Sequence, residues 1–568
     1  LKQIRAFFDD STNPDTRPAH IGLVFGFLWL LLFCLYYPAA KAGMVADFSG
    51  WLDQVKNHSF SEYINRTHFE ARSLYQVTQF NTWAFYKLFG INPWAWHLLF
   101  ITLHVINACL LFVLACRLLA DSGVRNGRSI AFGGVLLFSI SPYISEVIVW
   151  EPAFHFLQGL LFLLLILVLT QRFIHTGATR YAWLAAAVYT LSLFSLEIFY
   201  ITPWLVLSLA LFYRYLPSFG EQVVKRVLLY FFVPMLLLFL IRFAGYRLAY
   251  GDWVSRIGAG SVAAMQLQWL GKPAKYLFHL LCMGRFYPFE WRNKVYALCD
   301  SVGGILIFYG CLSVAILIIV TKFKQMGGKA KVASLLFVWM VVALLLLIPL
   351  WFASDMLVLY DRYTYFAGAF LYMLLAVLAS MLAYRYLAVT LIGLFAIVNL
   401  RFTIQVSRYW GKSAHIVTSL LNTIPDERDK TMLLLNIPQN MHGVAMIGAE
   451  KNSEYKLLHD LILPGKTLTN TVYDVLAYNM LTPADGAHVN VINDSLIKVT
   501  LNQWGTWWWF ETRGAYSYET AEYKLDLKDP GHWYELTLKK PYGQYLLLYN
   551  VGDKWKTVDM SKKDVDQD

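Results

Sequence analysis

Long stretches without charge constrain this chain more than any other feature. Residues Ile21 to Tyr37 carry none, and as a helix they approach the ~30 Å of a bilayer's hydrocarbon core. Apolar runs of this kind recur near 20–38, 94–118, 129–147, 154–172, 181–197, 199–214, 227–243, 302–321, 333–352, 363–383 and 386–403. An apolar helix is stable in lipid because its own ladder satisfies its backbone. The reading is a polytopic α-helical membrane protein with about eleven spans. Composition agrees: 15% of residues are charged, against roughly 25% in soluble domains.

The net charge of +11 does not call for nucleic acid. Basic residues sit in the connectors after alternate spans: Arg117, Arg125 and Arg128; Arg172 and Arg180; Arg214, Lys225 and Arg226; and Lys322, Lys324, Lys329 and Lys331. The positive-inside rule makes that side cytoplasmic. The N-terminus is then inside and, with an odd number of spans, the C-terminus outside. The first apolar run is read as a retained span, because no small-residue cleavage pattern follows it.

The outer connections are the unusual ones. The first, 39–93, is long for a loop without a task. Phe48, Trp51, Leu52 and Val55 recur at helical spacing, which predicts an interfacial helix. A second long outer segment covers 244–301, where Tyr276–Met283 is apolar but too short to span, so a re-entrant or interfacial segment is expected. Cys282 and Cys299 fall there, and a disulfide between them is one reading. Past 404 the apolar runs shorten. Met432–Ile437, Val489–Val499, Thr506–Glu511, Tyr534–Lys539 and Tyr545–Val551 read as strands. The expectation is a transmembrane domain over 1–404 and a small α+β outer domain within 405–568.

Several motifs occur in order. They are Arg72-Ser-Leu-Tyr-Gln-Val-Thr-Gln-Phe-Asn-Thr-Trp, Gly90-Ile-Asn-Pro-Trp-Ala-Trp-His97, His104-Val-Ile-Asn107, Ser141-Pro-Tyr-Ile-Ser-Glu146-Val-Ile-Val-Trp150, Leu196-Glu197 and Asp361-Arg362-Tyr363-Thr-Tyr365. Over about 20–400 this set resembles the GT-C superfamily of integral-membrane glycosyltransferases. It is most like the transmembrane O-mannosyltransferases with tetratricopeptide repeats and their bacterial relatives. The resemblance implies a polyprenyl-phosphate sugar donor, an outer-face active site and a catalytic acid in the first outer loop. Asp47 matches that acid, Arg72 the family's loop arginine and Arg362 its arginine in the last outer loop. The chain departs from the family in four places. It has one acid in Ala46-Asp47-Phe48 where many relatives have two, Ser73 in place of a proline, Leu196 in place of a lysine, and no tetratricopeptide repeats.

The chemistry of such a transfer can be set beside these residues. A base must take the acceptor's proton, and cations must meet the departing phosphate. Asp47 is the candidate base; the plainer reading makes it a cap of the helix after it, with Asp53 the runner-up. Arg72, Arg362, Lys275 and Arg285 are candidates for the phosphate, and so, more weakly, is Lys272. Against this, interfacial cations commonly snorkel to lipid headgroups, and Arg362 has a ready partner in Asp361. Glu146, Glu151, His155, Glu197 and Tyr363 are candidates for orienting substrate, because ionisable groups at span ends are costly to keep. Structural ion pairs are the alternative. His97 and His104 share a helix face but lack a carboxylate to complete a metal site, so polar packing is expected. No metal is assigned. Some GT-C members use a divalent ion, and the single loop acid argues against one here.

The tryptophans Trp504, Trp507, Trp508 and Trp509 suit sugar stacking, an interfacial anchor or a β-core equally. Asn65-Arg-Thr67 and Asn493-Asp-Ser495 fit the N-glycosylation acceptor pattern, a reading that a bacterial source voids. The expected partners are a polyprenyl-phosphate sugar, membrane lipid and a hydroxyl acceptor on a protein or glycan. Mannose is among the candidate sugars. The expected setting is a bacterial inner membrane with the site facing the periplasm. A lipid-sugar flippase or a non-catalytic scaffold is the rival. Flippases of the transporter type carry broken helices with charges at mid-membrane, whereas these charges lie at span ends.

Overall fold

The computed structural model describes residues 18–42, 48–64, 74–195, 197–251, 253, 266–349, 360–423, 430–447, 459, 468, 470–480, 482–501, 506–508, 517–529 and 532–560. Among the described residues, eight helices are long and apolar enough to cross a membrane: Ala19–Ala39, Pro93–Asp121, Glu151–Thr176, Gln222–Tyr250, Val302–Gln325, Gly328–Leu345, Asp361–Ala379 and Tyr386–Thr423. A ninth candidate is the pair Gly127–Ser139 and Pro142–Val149, bent by 57°. The two remaining apolar runs lie on the shorter helices Arg180–Leu193 and Ile198–Arg214.

Surface chemistry identifies the solvent these helices expect. Leu306, Ile307, Val314, Leu317, Ile318 and Val320 of one helix are all exposed. So are Leu391, Leu394, Ile397 and Val398 of the last. Water would penalise such faces at about 25 cal/mol per Å², while lipid does not. Inside the bundle, small residues permit close approach: a Cβ on Gly134 would meet Met373 Cα at 2.9 Å.

The basic connectors meet at one end. Asp121 accepts from Tyr213 Oη (2.6 Å) and pairs with His175 (2.9 Å). Arg226 packs against Gly177 and over the Phe173 ring. Lys331 Nζ donates to the Tyr215 carbonyl at 3.2 Å, and Lys329 Nζ to that of Ser380. Four connectors that are distant in sequence therefore form one basic surface. Glu146, Glu151 and Arg362 lie at the helices' other ends.

Two helical pieces build that opposite end. Phe48–Asn57 is the amphipathic helix expected in the first loop, with Leu52 and Val55 fully buried. Lys272–Cys282 is the expected short apolar segment; it packs antiparallel to Phe289–Asp300 and docks on the bundle where Lys272 Nζ reaches the Ile348 carbonyl (3.3 Å). Cys282 and Cys299 are free thiols.

The last helix, Arg385–Thr423, continues well past the composition change at 404. Beyond it the described residues are β-rich. The strand Thr431–Leu434 pairs in parallel with Val472–Asp474 and Tyr545–Val551. The expected strand 489–499 is two strands, Ala487–Val491 and Leu496–Leu501, because Asn493 turns the chain by accepting from the backbone amides of Ser495 and Leu496 (both 2.9 Å). This region grips the last helix. Trp555 Nε1 donates to the Ile416 carbonyl (3.0 Å), Ser413 Oγ to that of Ala445 (2.8 Å), and Lys412 pairs with Asp553.

Candidate active site

Pro142 lacks an amide proton, so the helix ending at Ser139 cannot continue straight through it. The carbonyl freed at Ile140 accepts from Thr403 Oγ1 (2.6 Å), and Ser141 Oγ bonds Tyr372 Oη (2.9 Å). The chain resumes as Ser145–Val149, and Glu146 lies in its first turn. At the start of the 361–379 span, the turn Asp361–Thr364 presents Asp361 and Arg362. The turn Gly284–Phe286, after the 272–282 helix, presents Arg285.

These three turns converge. Arg362 pairs with Glu146 through Nη1, and its backbone amide donates to the other carboxylate oxygen at 2.7 Å. Its guanidinium lies over Trp150, Tyr360 and Tyr363 at 4.7, 4.9 and 5.0 Å. Arg285 pairs with Asp361 through Nη1. Asp361 is 2% exposed and Arg285 3%, so this pair is dry. The adjacent pairing expected for Asp361 and Arg362 does not form. Neighbours on a tight turn point different ways, and each finds its partner more than 70 positions away. Each acid also feels the other pair's arginine, which makes the four groups one electrostatic cluster.

Tyr143 and Tyr276 border the cluster, and Tyr276 feels the charges of Arg362, Asp361 and Glu146. Tyr276 Oη and Asp361 Oδ1 are buried with no hydrogen-bond partner among the described residues. Each such atom costs about 1–3 kcal/mol if left unmet. Next to the turn that carries Arg285, a groove of about 400 Å³ opens between residues of 281–288 and of 395–402; Met283 and Phe286 line it, and Arg285 lies behind them. The groove is lined by apolar side chains, and Phe286 stacks on Phe402 at 3.9 Å.

Lys275 is brought elsewhere: it is fully buried and pairs with Asp300, within the helical hairpin. In the same hairpin His279 Nε2 shares a hydrogen bond with Tyr296 Oη. Burial, reinforced by the charges of Arg292 and Arg285, pushes the His279 pKa down to about 3. The unfolded chain takes up that proton near pH 6.5 while the native state does not. Stability from this group is therefore complete above pH 6.5 and falls by up to about 1.4 kcal/mol per pH unit toward pH 3. Melting of the detergent-solubilised protein at pH 7.5 and 5.0 should show the loss, and His279→Gln should reduce the difference.

The connection over 39–93 is anchored near both ends. His97 bonds the Ala42 carbonyl through Nε2 and the Ile148 carbonyl through Nδ1 (3.3 Å). His104 bonds Tyr365 Oη at 2.8 Å, so both histidines pack as polar residues. Tyr36 lies within electrostatic reach of Arg285 and Asp361. Farther along the loop, the amide of Val77 donates to the Phe194 carbonyl (3.0 Å), and Thr78 Oγ1 meets Ser195 Oγ (3.3 Å). Asp47 and Arg72 fall in 43–47 and 65–73, outside the described residues, as do Trp504 and Trp509.

Glu151 is 1% exposed, and neither of its carboxylate oxygens has a hydrogen-bond partner among the described residues. His155 is half-buried, packs on Phe156 (4.7 Å) and lies within reach of Arg362's charge. Tyr363 packs against Phe156 at 5.5 Å. Glu197 begins the turn Glu197–Tyr200 at the tip of the short hairpin. The structure thus joins Glu146, Arg285, Arg362 and Tyr363, with His155 beside them. It adds Asp361, Tyr143 and Tyr276, which sequence reasoning did not select as site residues. Asp361 carried a signal, an acid at a span end. Tyrosines near an interface are too common to carry one.

No protein-family model matches the chain, and no curated protein sequence matches it.

Proposed function

We propose that this protein is a membrane glycosyltransferase that moves one sugar from a polyprenyl-phosphate donor to a hydroxyl acceptor. The carrying observation is the two buried arginine–carboxylate pairs beside an apolar groove that begins at Arg285's neighbour Phe286. An amphiphile with a phosphate head and an isoprenoid tail needs that combination of cation and lateral apolar surface. Asp361 Oδ1 and Tyr276 Oη supply an acceptor and a donor for a polar headgroup.

In the reaction, the Asp47 carboxylate takes the acceptor's proton as its oxygen attacks the anomeric carbon. The sugar–phosphate C–O bond breaks, its electron pair leaves with the lipid phosphate, and the anomeric centre inverts. Arg362, Arg285 and Arg72 meet the leaving charge. Glu146 and Tyr363 hold Arg362 in place, while Glu151, His155 and Glu197 orient the sugar or the acceptor. The acceptor is a protein Ser or Thr; a lipid or cell-surface glycan is the alternative. The setting is a bacterial inner membrane crossed eleven times, with the basic connectors cytoplasmic and the site facing the periplasm.

The test uses the purified full chain in lipid nanodiscs, with radiolabelled polyprenyl-phosphate sugars and hydroxyl-bearing peptides or glycans. Transfer of label with inversion supports the reading. No transfer from any donor, with donor scrambled across the bilayer of proteoliposomes instead, replaces it with the flippase.

A further inference from the structure

The C-terminal β-rich region reaches back into the cluster at one point. The strands Ile437–Met441 and Val444–Ala445 are joined by the two-residue turn His442-Gly443. Both residues have positive φ, 50° and 78°, the geometry of a type I′ hairpin turn. Glycine takes that conformation freely, whereas histidine pays a steric cost. Three contacts keep the turn in place. The imidazole of His442 stacks on Tyr409 of the last helix, with rings 4.9 Å apart and nearly parallel. Asn440 Oδ1 accepts from the Gly443 amide at 3.3 Å, and the Ala445 carbonyl accepts from Ser413 Oγ.

The strained turn points the His442 carbonyl at Arg285. Arg285 Nε donates to that oxygen at 2.8 Å, and Nη2 donates to it as well. With Nη1 on Asp361, three of the guanidinium's five N–H groups are engaged, and the plane of the group is set from two sides. A carboxylate alone would leave it free to pivot about one contact. A neutral carbonyl on the second edge adds direction without cancelling the positive charge.

We infer that the His442-Gly443 turn is a positioning element that aims Arg285 at the phosphate of a lipid seated in the adjoining groove. The C-terminal region is thereby a working part of the membrane site. This rests on the lipid-phosphate reading above. Tyr409 is the lever, because its ring holds the turn from outside the cluster.

The experiment measures binding of farnesyl phosphate to the full chain in nanodiscs, with farnesol as the control lacking phosphate. Tyr409→Ala should weaken farnesyl phosphate binding about tenfold and leave farnesol unchanged. Tyr409→Phe, which keeps the stacked ring, should restore the wild-type value. Gly443→Val, strained at positive φ, should repeat the loss. The inference is overturned if Tyr409→Ala and Gly443→Val both bind like wild type while Arg285→Gln does not; the turn would then be structural, and the phosphate reading would stand. If wild type binds the phosphate no better than the alcohol, the phosphate reading fails and the aiming role with it.

Discussion

Asp47→Asn should lower the transfer rate by about 10²–10⁴, the range expected when a general base is removed. That corresponds to roughly 3–5 kcal/mol of barrier. Asparagine keeps the size and one acceptor oxygen but cannot take the acceptor's proton. Donor binding should change little, because the phosphate is met by arginines. Asp53→Asn is the matched control. Asp53 is committed to its own helix, where it accepts from Asn57 Nδ2 at 2.7 Å, so its loss should leave transfer within about twofold of wild type. Single-turnover rates with labelled donor measure both. Undiminished transfer by Asp47→Asn would move the base elsewhere in the site.

Breaking the Arg285–Asp361 pair should have the largest effect on stability. Both side chains are almost completely buried. Asp361→Asn leaves the Arg285 guanidinium in a dry site without its paired carboxylate, with the neutral His442 carbonyl in contact and the Glu146 charge farther off. Removing one partner of such a pair typically costs about 3–5 kcal/mol. Replacing both by apolar residues, Arg285→Met with Asp361→Leu, should recover much of that, because no unmatched charge remains. Thermal unfolding in detergent measures the two steps. The double variant also separates structure from chemistry. Recovered stability without transfer supports Arg285 as a phosphate ligand, while recovered stability with full transfer would make the pair a structural latch.

Much of the fold is legible in the sequence because lipid imposes a simple rule. A segment that crosses hydrocarbon as a helix must be long and apolar, and the described part of each of the eleven apolar runs is mainly helical in the structure. The grouping of the basic connectors follows equally simply, since charge must stay out of the core. Reading is poorer where local pattern carries two meanings. Two runs became helices too short to cross unaided, and one is bent because Pro142 and Ser141 interrupt it. The strand expected at 489–499 hid a turn, since Asn493-Asp-Ser495 interrupts the alternation without breaking it.

The site divides the same way. Asp361, Arg362, Glu146 and Arg285 stand out in the sequence because an ion near a bilayer demands an explanation. Their partners do not. Adjacency suggested Arg362 with Asp361, but the structure joins Arg362 to Glu146 and Arg285 to Asp361. Nothing in the local sequence marks His442 as the residue whose carbonyl holds Arg285 from 157 positions away. Which segments are apolar and helical is decided residue by residue, by the cost of placing each side chain in oil or water, so the sequence alone marks them. The pairing of buried charges depends on which turns the packed helices bring together, and only the tertiary structure decides that.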